Sequence, residues 1–189
     1  MGGHKFDPRH AVFLDSEERK ERQSPEEILS LLEVEEDDVV LDLGVGTGFL
    51  TFPIAERAGK VYAVDVQEEM VGKLEEKREE KVVDNVEIFL SGESEIPLPD
   101  DEVDKTLMLN VLHELDDPST LKEVNRVMKE KGKLLIVDWD KEKVTKYGPP
   151  THVRLTREEA IKILEEKEFK ILDSGSKEDH YWMIGKRRG

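Results

Sequence analysis

Short apolar runs alternate with charged, amphipathic segments along this chain. The run Val39–Leu43 is rich in β-branched residues and predicts a strand that is buried on both faces. Similar runs predict further strands at Lys60–Val64, Val86–Leu90, Asp104–Asn110 and Lys133–Asp138. Because strands and helical segments alternate, we expect parallel strands joined by right-handed crossovers.

Capping signals predict where several helices begin. Ser24–Glu27 is a capping box with Pro at the first helical position, and Thr156–Glu159 is a second capping box. The helix after the first strand contains Pro53 near its first turn, which predicts a late or bent start.

Other helices are predicted from runs of charged residues and from the Pro and Gly residues that mark helix ends. Ser16–Gln23 is a charged helical arm, and Gln67–Glu80 is predicted to be a surface helix. A helix capped by Asp117-Pro118 is expected to run to about Lys129, because Gly132 then ends it.

The last fifty residues change the pattern. Phe169–Asp173 and Tyr181–Gly185 are short strands separated by polar turn residues, which predicts an antiparallel hairpin at a sheet edge. The expected fold is therefore one α/β domain over residues 24–189, with an N-terminal arm or lid over residues 1–23. Its core is a Rossmann-like, doubly wound, seven-stranded and mostly parallel sheet in a three-layer α/β/α arrangement, with the antiparallel hairpin at its C-terminal edge.

A glycine-rich turn follows the first strand and indicates a nucleotide-type cofactor. The turn contains Gly44, Gly46 and Gly48, and it is preceded by Asp42. The dinucleotide fingerprint fails, because the sixth position counted from Gly44 is Phe49. A carboxylate at the strand end would repel a pyrophosphate and would favour a cationic group such as an ammonium or a sulfonium.

Polar residues at the ends of the later strands extend this site. Asp65 ends the second strand, 21 residues after Gly44, where an acid can hydrogen-bond both ribose hydroxyls. The segment Gly92–Pro99 offers a carboxylate and backbone N–H groups for an adenine edge. Asn110–His113 completes a line along the carboxyl ends of the strands, where open α/β sheets bind ligands.

Five sequence segments in this order resemble the class I S-adenosylmethionine-dependent methyltransferases, and most closely the small ubiquinone/menaquinone-type branch. The resemblance covers about residues 24–140 in order and spacing. The five segments are Val40–Gly48, Val61–Asp65, Gly92–Asp100, Asn110–His113 and Arg126–Gly132.

The resemblance implies S-adenosylmethionine as cofactor and a binding role at each strand end. Asp42 and the loop glycines would surround its methionine part, Asp65 would hold the ribose, and Asn110 would lie beside the methionine amino group. Val66 would lie beside the adenine, whose edge would be contacted by Glu93-Ser94. The implied cofactor-binding residues are Asp42, Gly44, Val45, Gly46, Thr47, Gly48, Asp65, Val66, Glu93, Ser94, Asn110 and Val111.

Three positions depart from the family pattern. Val45 stands where Cys or Ala is common, and only its backbone should matter. Glu93 replaces a more usual Asp, and the longer acid should still reach the cofactor. Glu168-Phe169 replaces Gly-Phe, which leaves the geometry of the C-terminal strand open.

His113 is the candidate catalytic residue. The sulfonium already activates the methyl group, so the protein must orient the acceptor and exclude water. Deprotonating an acceptor O–H, N–H or acidic C–H needs a base, and His113 follows the fourth strand by a few residues. The alternative is a histidine at a helix start whose ring packs or hydrogen-bonds locally.

Substrate contacts are expected around the loop Gly148–Pro150, which Tyr147, His152 and Arg154 flank. The alternative for these residues is a solvated linker. Trp139 could stack on an aromatic acceptor, and the alternative for it is a core or lid aromatic.

Composition excludes several kinds of chemistry. Zero cysteines exclude disulfides, thiolate metal sites and a thiol nucleophile in these 189 residues. The five histidines lack metal-ligand spacing, so no dedicated metal site is expected. A divalent ion held by Asp138 and Asp140 against a chelating catechol acceptor remains an alternative.

Charge and hydropathy narrow the partners to a small-molecule methyl acceptor. The formal charge of -16 argues against nucleic acid, because such binding is driven by Lys and Arg on phosphates. Asn110–His113 also lacks the Asn-Pro-Pro-aromatic signature expected when a planar exocyclic amine is methylated. No apolar run approaches the ~18 residues of a membrane span, and Met1–Pro8 lacks a signal-peptide core, so a cytoplasmic location is expected.

Two other functions remain open at this stage. One is a regulatory or assembly module that binds S-adenosylmethionine without catalysis. The other is a protein methyltransferase with an acidic groove for basic peptides. The acceptor atom and the oligomeric state are not encoded in any motif of the sequence.

Overall fold

The computed structural model describes residues 6–7, 9, 14–116 and 119–188. Seven strands form one sheet in the order β3-β2-β1-β4-β5-β7-β6. They are β1 Val39–Leu43, β2 Lys60–Asp65, β3 Val86–Leu90, β4 Val103–Leu109, β5 Met128–Trp139, β6 Phe169–Lys177 and β7 His180–Arg187. The first five are parallel, and β7 pairs antiparallel with both β5 and β6. The predicted fold class is confirmed, including the antiparallel hairpin at the edge.

Helices cover both faces of the sheet. They are α1 Glu17–Arg22, α2 Pro25–Leu32, α3 Thr51–Ala55, α4 Glu68–Lys81, α5 Ser119–Val127 and α6 Arg157–Glu166. Two apolar clusters separate the layers, one containing residues of α2, α3 and α4 and the other residues of α5 and α6. Alternate residues of β1 supply both clusters, since Val40 belongs to the first and Leu41 to the second. No helix within the described ranges has both the length and the apolar character needed to cross a bilayer.

The capping predictions hold to different degrees. Thr156 forms the full capping box, because its Oγ1 accepts from Glu159 N at 3.1 Å and Glu159 Oε2 accepts from Thr156 N at 2.8 Å. Ser24 precedes α2 as predicted, but its side chain makes no capping hydrogen bond in the described structure. The helix after β1 begins late, at Thr51, and so accommodates Pro53 within its first turn.

The boundary between α5 and β5 differs from the prediction. The helix ends at Val127 instead of about Lys129, and β5 runs through Gly132. Met128 is fully buried and pairs with Val103 of β4, so sheet pairing ends the helix earlier than the glycine would. The predicted cap Asp117-Pro118 lies outside the described residues.

The C-terminal strands are longer than predicted, and Glu168 makes the turn before them. Glu168 has a φ of 66°, the left-handed conformation in which glycine is favoured. Its carbonyl accepts from Arg188 N at 2.7 Å, and Phe169 is fully buried. The glutamate therefore adopts the backbone expected of the family's glycine, and the hairpin forms with a register shift between Ile171 and Asp173.

Candidate active site

A cavity of about 770 Å³ opens at the carboxyl ends of the parallel strands. Most of the residues that sequence reasoning selected line it. They are Gly44, Val45, Gly46, Asp65, Val66, Glu93, Asn110, Val111, His113, Trp139 and Tyr147. The remaining candidates, which lie behind or outside its described wall, are Asp42, Thr47, Gly48, Ser94, His152 and Arg154.

The glycine loop is shaped by close packing as well as by the cavity. Gly44 has a φ of +74°, and a Cβ there would lie 2.4 Å from Val111 Cγ2. Gly48 has a φ of +81°, and a Cβ there would lie 2.4 Å from Leu74 Cδ1 in the core. The first glycine therefore lets the backbone turn beside the cavity, and the last lets the loop pack on α4.

Asp42 acts from behind the loop. Its carboxylate is buried and accepts a hydrogen bond from Thr51 Oγ1 at 2.6 Å. Burial raises the pKa of Asp42 to about 6, and the neighbouring Asp65 charge adds to this. It does not line the cavity, so it would act on a ligand there only through its charge.

Asp65 is held in a defined orientation at the end of β2. Its Oδ2 accepts from Gly46 N at 2.9 Å, and its Oδ1 accepts from Gln67 N at 2.9 Å. The carboxylate is almost fully buried and lines the cavity. These two backbone bonds connect the glycine loop to the start of α4 through one side chain.

Asn110 follows β4 in the left-handed conformation, with a φ of 59°. Its side-chain amide forms a reciprocal pair with Gln23, each donating to the other at 3.1 Å. Gln23 is buried and lines the cavity, so an amide pair closes this end. Glu93 also lines the cavity, and its carbonyl accepts from the Thr120 hydroxyl.

The N-terminal arm contributes residues that sequence reasoning did not assign to the site. The Arg19 guanidinium lies 4.2 Å from the centroid of the Phe49 ring and donates to Leu14 O at 2.9 Å. Arg19 also donates to Gln23 Oε1 at 3.1 Å, and it lines the cavity. Burial lowers the pKa of Arg19 to about 10, so it stays protonated near neutral pH. The sequence indicated Arg19 only as part of the charged helical arm Ser16–Gln23.

A second contact ties the arm to the loop. Asp15 accepts from Thr47 Oγ1 at 2.9 Å and from Lys77 Nζ at 2.6 Å. The same lysine donates to Thr47 O at 2.9 Å. Thr47 therefore faces the N-terminal arm and α4, not the cavity.

His113 is paired with a buried acid at the end of β5. Its Nδ1 lies 2.6 Å from Asp138 Oδ1, and its backbone N–H donates to Asp138 Oδ2 at 3.0 Å. The two side chains are 3% and 0% exposed. Burial lowers the pKa of His113, but the Asp138 carboxylate more than offsets this, and the pKa lies above its ordinary value.

Glu114 is a second acid beside the histidine. Its Oε1 lies 3.7 Å from His113 Nε2, and it lines the cavity. Burial raises the pKa of Glu114 to about 7, so its charge varies near neutral pH. Sequence reasoning assigned neither acid to the histidine, although Glu114 directly follows it and Asp138 was considered as a ligand of a divalent ion.

Trp139 and Tyr147 both line the cavity. The Arg22 guanidinium lies 3.8 Å from the centroid of the Tyr147 ring and 5.5 Å from that of Trp139. Gly148 packs directly on the indole, because a Cβ there would lie 2.6 Å from Trp139 Cδ2. Trp139 also contacts His180, with ring centroids 4.0 Å apart.

Arg154 and His152 do not line the cavity, although the Arg154 guanidinium lies 5.3 Å from the centroid of the Trp139 ring. Arg154 is buried and donates to three backbone carbonyls, those of Pro149 at 2.8 Å, Tyr147 at 2.8 Å and Lys143 at 3.2 Å. It therefore organises the loop that carries the cavity residues. His152 is exposed in a short 3-10 helix. Among the described residues, no cluster of three or more His, Cys, Asp or Glu side chains could hold a metal ion.

Comparison with protein families gives one match that covers most of the chain. A family model described as a methyltransferase domain matches residues 34–186. An uncharacterized methyltransferase-like protein of Schizosaccharomyces pombe is 35% identical over 105 residues, which are 55% of this chain and 39% of that protein. A probable ribosomal RNA small subunit methyltransferase A of Pyrococcus furiosus is 32% identical over 124 residues, covering 66% of this chain and 43% of that protein. The chain thus spans about two fifths of the length of these curated relatives.

A solved structure matches over nearly the whole length. It is an S-adenosylmethionine-dependent methyltransferase from Aquifex aeolicus, 35% identical, with a TM-score of 0.90. The alignment covers 96% of this chain and 98% of that one. The similarity therefore includes the N-terminal arm region and the C-terminal hairpin as well as the parallel core.

Proposed function

This chain belongs to the methyltransferase-domain family, and we propose that it moves the methyl group of S-adenosylmethionine to a small-molecule acceptor by in-line displacement. The expected enzyme class and cofactor agree with the family and with the Aquifex aeolicus structure. Membership of the ubiquinone/menaquinone-type branch, the small-molecule acceptor and the cytoplasmic location are part of the proposal.

The residues of the cavity suit this cofactor. When bound, S-adenosylmethionine supplies an electrophilic methyl group on a cationic sulfur. Asp65, oriented by two backbone N–H groups, would accept from the ribose hydroxyls. Val66 and Glu93, which line the same wall, would contact the adenine. Ser94 follows Glu93 in the chain but is not among the residues that line the cavity.

The methionine end would lie between the glycine loop and the N-terminal arm. The Asn110–Gln23 amide pair would face the ammonium group, and the Arg19 guanidinium would face the carboxylate. A Gly44 Cβ would collide with Val111, so the loop can approach a ligand closely only with glycine there. Asp42 would add a nearby negative charge that favours a sulfonium over a pyrophosphate.

The N-terminal arm would act as a lid. Contacts from Asp15, Arg19 and Gln23 connect it to the glycine loop and to β4. A cofactor that touched Arg19 and Gln23 would hold the arm against the sheet and so exclude water from the reaction.

His113 would be the general base. A histidine whose Nδ1–H donates to a buried carboxylate presents Nε2 as the acceptor of a proton. Because the pKa of His113 is raised, the base form would dominate only above the ordinary histidine range. The activity should therefore rise with pH through the pKa of His113.

The observation that carries this function is one cavity lined both by the oriented Asp65 and by His113, the histidine that is paired with the buried Asp138. The test is calorimetric titration with S-adenosylhomocysteine, followed by measurement of its formation over a broad acceptor panel. Asp65→Ala should weaken binding at least tenfold and remain folded, because it removes charge-assisted hydrogen bonds. Asp173→Ala, an exposed acid on the edge strand β6, is the matched control and should bind normally. Unchanged binding by Asp65→Ala would remove that residue from the ribose role.

Two other functions are separated by the same experiment. A non-catalytic binding module would bind S-adenosylhomocysteine yet never form it from S-adenosylmethionine with any acceptor. A protein methyltransferase would methylate basic peptides in preference to the small molecules of the panel.

Ribosomal RNA enters the panel because the Pyrococcus furiosus relative is named for it. The charge of -16 and the sequence Asn110–His113 favour a small molecule over RNA. Methylation of RNA fragments and not of small molecules would overturn the proposed acceptor class.

A further inference from the structure

We propose that Arg22 binds an anionic group of the methyl acceptor, so that this protein takes small acceptors that carry a carboxylate or a phosphate. The inference rests on the proposed function, because the cavity that would hold the acceptor is the one assigned to the cofactor. The part of the wall concerned, here named the acceptor corner, consists of Glu18, Arg22, Trp139, Lys146 and Tyr147.

Arg22 is placed where a ligand can reach it. Its guanidinium lies on the Tyr147 ring at 3.8 Å and beside the Trp139 ring at 5.5 Å. The residue lines the main cavity and also a second cavity of about 250 Å³ under α2. The side chain is 20% exposed, so it forms a wall between two open spaces and is not sealed inside packed side chains.

The donors of this guanidinium are incompletely used. Its Nε is buried and has no hydrogen-bond partner among the described residues. Its recorded ion pair is to Asp179, with Nη1 3.5 Å from Oδ2, longer than the roughly 2.7–2.9 Å of a charge-assisted hydrogen bond. An arginine carries five N–H donors in a rigid fork and is always charged. The buried Nε is sealed from solvent, so an incoming oxyanion would bind the guanidinium through Nη2, for which the described residues provide no hydrogen bond, and would place negative charge beside the unpaired Nε.

Other cations surround the same place. Lys146 Nζ lies 4.8 Å from the centroid of the tyrosine ring that Arg22 covers. Arg19 lies one helical turn before Arg22 on α1. Burial lowers the pKa of Arg19, and the charge of Arg22 contributes to that lowering, so the two guanidinium groups are close. Glu18 and Asp179 lie beside Tyr147 and Arg22, and Asp15 and Asp42 act on Arg19, so these three cations are a local concentration of positive charge with acidic neighbours in a strongly acidic chain.

The acceptor corner adjoins the proposed base. Trp139 directly follows Asp138, the partner of His113, and both His113 and Trp139 line the main cavity. An acceptor whose anionic group pairs with Arg22 would therefore lie in the cavity that contains the base. Arg22 would be a specificity-determining residue, and the reaction at the acceptor atom would not require its charge.

The test uses defined probes with the full chain loaded with S-adenosylhomocysteine. The probes are 4-hydroxybenzoate, phenyl phosphate, the neutral 4-hydroxybenzamide and the cationic benzylamine. Binding is measured by calorimetry, and the Nε–Hε signal of Arg22 is followed by ¹⁵N NMR. We expect one of the two anions to bind at least tenfold more tightly than the amide and to shift that signal. Comparing 4-hydroxybenzoate with phenyl phosphate shows whether the acceptor corner prefers a carboxylate or a phosphate.

Three variants isolate the role of Arg22. Arg22→Gln should weaken anion binding by about tenfold to a hundredfold, the loss expected for charge-assisted hydrogen bonds. The anion affinity of Arg22→Lys should lie between those of the wild type and Arg22→Gln, because an ammonium keeps the charge but lacks the forked donors of a guanidinium. Lys20→Gln removes the same charge from the exposed face of α1 and should leave anion binding unchanged.

The outcomes distinguish failure of the proposed role of Arg22 from failure of the proposed function. If S-adenosylhomocysteine does not bind, the proposed function fails. If it binds but the amide or the amine binds as tightly as the anions, only the role of Arg22 fails. Undiminished anion binding by Arg22→Gln, or a lowered melting temperature of that variant with unchanged anion preference, would make Arg22 a structural contact of the arm.

Discussion

Replacing Asp138 by Asn tests the electrostatic origin of the proposed base. The asparagine has nearly the same shape and keeps one oxygen acceptor, but it removes the charge 2.6 Å from His113 Nδ1. Burial would then act on His113 with only the nearby Glu114 carboxylate opposing it. The pKa of His113 should therefore be lower in the variant than in the wild type.

The same change has a defined effect on stability. Both side chains are almost fully buried, so the lost charge-assisted hydrogen bond should cost about 2 kcal/mol. Because the pKa of His113 is higher in the folded protein than in the unfolded chain, the protonated histidine stabilises the native state. This stabilisation is complete at pH values below the pKa of the unfolded chain. That contribution disappears as the pH rises through the folded pKa. The difference in unfolding free energy between wild type and Asp138→Asn should therefore be larger at pH 6 than at pH 8.5.

The measurements are an NMR titration of the histidine ring signals and urea unfolding at the two pH values. His113→Gln identifies the signal by its loss, and Asp173→Asn is the control that should leave the pKa of His113 unchanged. An unaltered pKa of His113 in Asp138→Asn, or a stability difference that grows with pH, would refute the charge pair as the cause.

Three further predictions concern the backbone and the lid. Glu168→Gly should raise the free energy of unfolding by about 1 kcal/mol, because glycine adopts the left-handed conformation without strain. Glu166→Gly, at the end of α6, should instead lower it by up to about 1 kcal/mol. Urea unfolding of both variants checks these two signs. Gly44→Ala should lower the free energy of unfolding by about 1–3 kcal/mol in the same assay. Adding Val111→Ala should recover the part of this loss that comes from the 2.4 Å clash, but not the part that comes from the left-handed φ. Equal losses in the single and double variants would show that the clash does not matter. Saturating S-adenosylhomocysteine should slow tryptic cleavage within α1, whose last turn is basic, and an unchanged cleavage rate would argue against a lid that closes on the cofactor.

Local pattern predicted most of the fold. The β-branched run Val39–Leu43 and the alternation that follows it identified the parallel core, since burial on both faces leaves a clear mark in sequence. The end of α5 could not be placed, because the pairing of Met128 with Val103 depends on a strand far away in the chain. Glu168 shows the same limit, because tertiary context imposes a left-handed turn on a residue that does not favour it.

Most of the residues expected to bind the cofactor line the cavity, whereas His152 and Arg154, two of the expected acceptor contacts, do not. Asp65 and the glycine loop belong to one short βαβ unit, so their spacing carries the geometry. The pairing of His113 with Asp138 spans 25 residues, and that of Gln23 with Asn110 spans 87. No local pattern records such contacts. Arg154 matched an expected substrate position in sequence, but its guanidinium binds the backbone carbonyls of its own loop.

The central claim is that the glycine loop and Asp65 form a site for a cationic amino-acid cofactor and not for a dinucleotide. Calorimetric titration of the protein with S-adenosylhomocysteine and, separately, with NAD tests this claim most directly. We expect one-to-one binding of S-adenosylhomocysteine and no detectable binding of NAD. Tight binding of NAD with none of S-adenosylhomocysteine would contradict it.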